Sequence, residues 1–114
     1  MATVDGTVRF EAGGKDRALR FTTNALCLLE DKLDLSAMQI GNELQFGVSI
    51  VTLRGMFWAG LGDDEMTLAQ AGEIIDAVGI KRAREIATEA FAAAFPDEEG
   101  DATSNEGPPK AAAG

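Results

Sequence analysis

Few side chains in this 114-residue chain are able to do chemistry, and their types exclude more than they allow. Histidine and tyrosine are absent, and Cys27 is the only cysteine. Without histidine, the commonest general base and metal ligand is missing, so Ser–His and Cys–His nucleophile pairs and Cys/His zinc sites are ruled out. Cys27 lies in the apolar run Ala25-Leu26-Cys27-Leu28-Leu29, the setting of a buried, inert thiol. A lone cysteine forms no internal disulfide, which suits a reducing compartment. Carboxylates group at Glu30-Asp31, Asp63-Asp64-Glu65 and Asp97-Glu98-Glu99. Two acids can run glycosidase-type chemistry and an acidic loop can hold calcium. The Asp63 group, however, lacks the alternating ligands and closing glutamate of an EF-hand loop. It directly precedes Thr67, where negative charge favours the start of a helix. Gly13-Gly14-Lys15 is followed by a strand pattern rather than by the Lys-Ser/Thr helix start of a phosphate loop. No catalytic residue, metal or cofactor is expected, and the chain reads as a non-enzyme.

Composition points the same way. Nineteen acidic residues against ten basic ones give a formal net charge of −9. That balance disfavours sequence-independent binding to nucleic acid and to anionic membrane surfaces. The first ten residues carry no apolar block of signal-peptide length, and no stretch approaches the ~20 apolar residues of a membrane span. A soluble, cytoplasmic protein is expected.

The elements that must position these residues follow from periodicity. Val8 and Phe10 alternate with Arg9, and Leu19 and Phe21 with Arg20, around a glycine-rich turn, so residues 3–22 read as a β-hairpin. From Thr22 the period becomes helical, with Thr22, Thr23 and Asn24 as cap candidates and Leu26, Leu29 and Leu33 on one face. Ser36 with Gln39 forms a capping box opening a short helix that is expected to end near Leu44. Ser49 caps a third helix from Ile50 to about Leu61. Thr67 with Gln70 forms a second capping box, opening a helix with Leu68, Ala71, Ile75 and Val78 on one face. A last helix runs from Ile80 to Phe95, lined by Ile80, Ala83, Ala87, Ala90, Phe91 and Ala94 and stopped by Pro96. Beyond Pro96 the chain has five acidic residues, one lysine and no large apolar residue, a composition that does not bury enough surface to fold. The expected organisation is a folded domain over residues 1–96 and a disordered acidic tail over residues 97–114. The fold class is α+β: an N-terminal β-hairpin packed on a small bundle of four to five helices.

The third helix is the most informative. Ile50, Leu53, Phe57 and Leu61 share its core stripe, while Val51 and Trp58 occupy one flank and Met56 the other. Such surplus apolar surface marks either a central helix or a partner-binding face, and Val51, Met56 and Trp58 are the candidate partner-binding residues. Arg54 is the only charged residue between Ser49 and Leu61. Its place in an apolar arc calls for a partly buried ion pair, with Glu30, Asp31 and Asp76 as candidate partners.

The sequence also resembles the small tail assembly chaperones of tailed phages, in particular the group found in the tail gene clusters of gene transfer agents. The resemblance is carried by Leu19-Arg20-Phe21-Thr22-Thr23-Asn24-Ala25-Leu26-Cys27 with Leu29-Glu30-Asp31, and by Leu53-Arg54 with Phe57-Trp58-Ala59-Gly60-Leu61. It continues through Met66-Thr67-Leu68, Ala71-Gly72-Glu73-Ile74-Ile75-Asp76, and Ala90-Phe91 with Ala94-Phe95-Pro96. These segments cover most of residues 3–96 in order. The resemblance implies a non-enzymatic virion assembly factor without cofactors. Such a protein would bind the tape measure protein, help recruit tail tube protein, and be absent from the finished particle. The rival readings are a structural tail or head–tail connector subunit retained in the particle, and a regulatory adaptor or DNA-mimicking inhibitor that uses the acidic surface. Self-association is compatible with all of them. The resemblance also raises a longer, frameshifted product, for which the Pro108-Pro109-Lys110 codons would be the slippery tract.

Overall fold

Gly13 and Gly14 both take positive φ, 62° and 77°, the backbone that a two-residue turn between twisted strands requires and that residues with a Cβ resist. The turn joins β1 (Val8–Ala12) to β2 (Lys15–Leu19). The strands pair antiparallel, with Val8 opposite Leu19, Phe10 opposite Arg17 and Ala12 opposite Lys15. In a computed structural model of the chain, which describes residues 5–95, this hairpin is followed by five helices. The α+β architecture is as expected. The disordered tail assigned to residues 97–114, the stop at Pro96 and the Asp97-Glu98-Glu99 group lie outside the described residues.

Local chemistry accounts for each helix start. Thr22 caps α1 (Thr23–Leu33), its hydroxyl accepting from the Ala25 amide at 3.1 Å. Ser36 and Gln39 form a reciprocal capping box at α2 (Ala37–Phe46). Ser49 caps α3 (Ile50–Gly60), and Thr67 with Gln70 boxes α4 (Leu68–Val78). Such caps satisfy amides that the helix itself leaves open and contribute about 1 kcal/mol each. Gly79, at φ 97°, separates α4 from α5 (Ile80–Ala93). The second helix runs two residues beyond the expected end, and the last stops two residues short of it.

A two-stranded hairpin is not stable alone, and this one is anchored on α3. The Arg20 amide donates to the Gly60 carbonyl at 3.0 Å. Phe10 meets Phe57 edge-on, with ring centroids 5.8 Å apart. Helix α3 is the hub, packing against α1, α4 and α5. Phe57, Leu53 and Met56 of α3 are fully buried with Val8, Leu19, Leu29, Ile40 and Ile86. Phe91 of α5 packs edge-on against Phe21 and also reaches Gly41 of α2.

Several helical positions differ from expectation. Ile50 and Ile80, both placed in core stripes, are exposed, while Ile86, given no role by the sequence pattern, is fully buried. Both exposed isoleucines open their helices, where one further turn of neighbouring helix would be needed to cover them.

Candidate partner-binding face

At about 100° per residue, Ile50, Arg54, Trp58 and Val51 fall within one arc of α3 about 100° wide. They are the four residues of α3 that are not buried; the other seven are. Helix α1 borders this strip on one side: a Cβ on Gly55 would lie 3.0 Å from Leu33, and the Lys32 ammonium stands 5.0 Å from the Trp58 ring centroid. Helix α4 and the segment before it form the other border. The Trp58 indole N–H donates to the Met66 carbonyl at 3.0 Å, and the Arg54 side chain lies against Gly72.

The strip is apolar where water would be expected to select polar residues. Val51 is 62% exposed, Ile50 52%, and Leu28, one turn before Lys32 on α1, 51%. Phe46, the last residue of α2, is 86% exposed just ahead of the Ser49 cap. Two of the six large apolar side chains exposed among the described residues, Ile50 and Val51, thus lie on the outer face of α3, and a third, Leu28, stands on the helix that borders it. Clustering of this kind marks an interaction surface; single exposed apolar residues do not.

The residues singled out by sequence are distributed unequally. Val51 and Trp58 share the open strip, as expected. Met56 does not: it is 0% exposed and belongs to the core, because both flanks of α3 outside the strip are covered by neighbouring elements. Arg54 sits in the strip but makes no ion pair or hydrogen bond among the described residues, and its Nε is buried without an acceptor. The expected ion pair is therefore absent there. Glu30 is occupied elsewhere, accepting from the Ala37 amide at 2.6 Å, and Asp31 and Asp76 are exposed. Leaving a buried donor unpaired costs about 1–3 kcal/mol. Sequence reasoning missed Leu28 and Phe46. The run Leu26-Cys27-Leu28-Leu29 held a usable signal, since four consecutive apolar residues occupy the whole circumference of a helix and one of them must face outward.

Cys27 is exposed, not buried. The α1 core stripe is built from Ala25 and Leu29, with Leu26 and Leu33 partly covered, which turns Cys27 to the opposite side. The native protein should therefore react with an aromatic disulfide reagent at nearly the rate of a free thiol. Reaction that required denaturant would place Cys27 back in the core.

Two of the grouped carboxylates, Glu30 and Asp63, have structural uses. Asp63 accepts from the Glu65 amide at 2.9 Å in the turn ahead of α4, and among the described residues no three of Cys, Asp and Glu gather as metal ligands. An open cleft of about 400 Å³ between the hairpin and α4 mixes Lys15 and Arg17 with Asp63 and Glu73, without a convergent set of one charge. Among the described residues no helix is long and apolar enough to cross a membrane.

No family model, curated protein or solved structure matches the chain. Fold and face together define a small α+β domain whose central helix leaves one apolar strip uncovered.

Proposed function

We propose that this protein is a non-enzymatic tail assembly chaperone that binds the tape measure protein of a phage-type tail and assists assembly of the tail tube. The observation that carries the proposal is the uncovered strip of α3. A tape measure protein presents long apolar helical stripes before the tube encloses it, and an apolar face between two helices suits helix-in-groove recognition. The net charge of −9 keeps such a complex soluble. The residues that carry the family resemblance support the reading further, since they supply both the strip (Arg54 and Trp58) and the anchor of the hairpin on α3 (Leu19, Phe21 and Gly60). The protein acts in the cytoplasm of the producing cell, needs no cofactor and leaves before the particle is complete.

Co-expression with the tape measure protein should raise the soluble yield of that protein and give a complex that co-purifies. Mass spectrometry of purified particles should find the chaperone missing. Its presence in stoichiometric amounts would instead favour a structural tail or connector subunit.

A further inference from the structure

We infer that the strip on α3 takes an amphipathic helix whose apolar stripe is interrupted by one carboxylate, and that this carboxylate bonds Arg54. The inference rests on reading the domain as a binder of helical partners and deepens it by naming the partner's chemistry.

Charge and hydrogen bonding on the face lead to this occupant. The protein as a whole is strongly acidic, yet the charged side chains standing on the strip itself are both cations: Lys32 over the Trp58 ring and Arg54 against Gly72. Of the acidic residues on α4, Glu73 lines the cleft on the hairpin side and Asp76, one turn beyond Gly72, is exposed; neither pairs with these cations. Arg54 Nε is buried and has no acceptor among the described residues. Only Nε is buried; the terminal nitrogens of this half-buried residue reach the surface of the strip, and a guanidinium anchored this way presents them to a carboxylate, the acceptor whose geometry it matches best. Ile50 and Val51 on the same arc provide the apolar ground for the partner's other side chains, and they exclude water from the charge pair, which strengthens it. A second copy of this chain is a poor occupant. Two such faces brought together would place cation against cation at the centre, on molecules that each carry −9.

The test uses three synthetic amphipathic helical peptides with one common leucine stripe and either Glu, Gln or Lys at its centre. Trp58 is the only tryptophan, so its emission reports binding at the strip directly. The Glu peptide should shift that emission and bind about tenfold more tightly than the Gln peptide, with the Lys peptide weakest. In Arg54→Met, which keeps the apolar stem, the three affinities should converge, and Val51→Asp should weaken all of them. Were Arg54→Met not to fold, as judged by circular dichroism, the ranking of the three peptides on the unmodified protein would still decide the matter. Equal affinities for the three peptides, or failure of all of them to bind, would overturn the inference. So would self-association in size-exclusion chromatography that Val51→Asp abolishes. The two readings fail separately. Peptide discrimination without tape measure binding removes the chaperone role and leaves the face. Tape measure binding that is indifferent to Arg54→Met and Val51→Asp removes the face and leaves the role.

Discussion

Phe57→Ala should lower the free energy of unfolding by about 3–5 kcal/mol, the usual range for emptying a buried aromatic site. Small domains have total stabilities on the order of 5–15 kcal/mol, so this single change removes a large share. Phe57 is 0% exposed, lies at the centre of the hub helix and makes the edge-on contact with Phe10 that seats the hairpin. Its neighbours come from the hairpin and from several helices, so no single element can collapse into the space. Urea denaturation followed by circular dichroism measures the loss directly. Ile50→Ala is the comparison. The periodic pattern puts Ile50 on the same stripe as Phe57, but its exposed place at the start of α3 should hold the effect within about 0.5 kcal/mol. Similar losses in the two variants would mean that α3 is rotated relative to its neighbours.

Gly60→Ala should destabilise by about 1–3 kcal/mol, the cost of forcing extra volume into a packed site, although alanine is the better helix former by about 1 kcal/mol. A Cβ at Gly60 would meet Leu19 Cδ1 at 2.8 Å and Phe21 at 3.1 Å. Leu19 is fully buried and Phe21 nearly so, so neither has free space to move into. The carbonyl of the same residue accepts from the Arg20 amide, so displacing it loosens the link between the hairpin and the bundle. Gly72→Ala is the opposite case. Its Cβ would sit 3.6 Å from Arg54 Cδ, an ordinary contact, and the gain in helix propensity should stabilise the domain by up to about 1 kcal/mol. Thermal melts of the two variants should therefore move in opposite directions. A rise in melting temperature for Gly60→Ala would show that the hairpin does not press on α3.

The open face was legible only in part. Val51 and Trp58 stood out because α3 carries more apolar residues than one core stripe holds, and the strip is indeed where that surplus lies. Met56 belonged to the same surplus and is buried. Periodicity counts how many faces of a helix are apolar but does not say which of them a neighbour covers. Arg54 was recognised as exceptional from its apolar surroundings alone. That no carboxylate among the described residues answers it depends on where Glu30, Asp31 and Asp76 come to rest, and Glu30 is drawn away by an amide of α2.

The sequence by itself determined the elements, the hairpin turn and the helix starts. Interactions spanning two to four residues set these, namely the paired glycines of the hairpin turn and the side-chain caps at Thr22, Ser36, Ser49 and Thr67, and such interactions are written directly in adjacent letters. It likewise excluded histidine-based chemistry outright. Only the tertiary structure decided that Met56 faces inward, that Ile50 and Cys27 face outward, and that Arg54 has no partner among the described residues. Each of these depends on how helices far apart in the chain are rotated and spaced around α3. That arrangement is set by the summed packing of many side chains, in which no short segment carries the deciding energy.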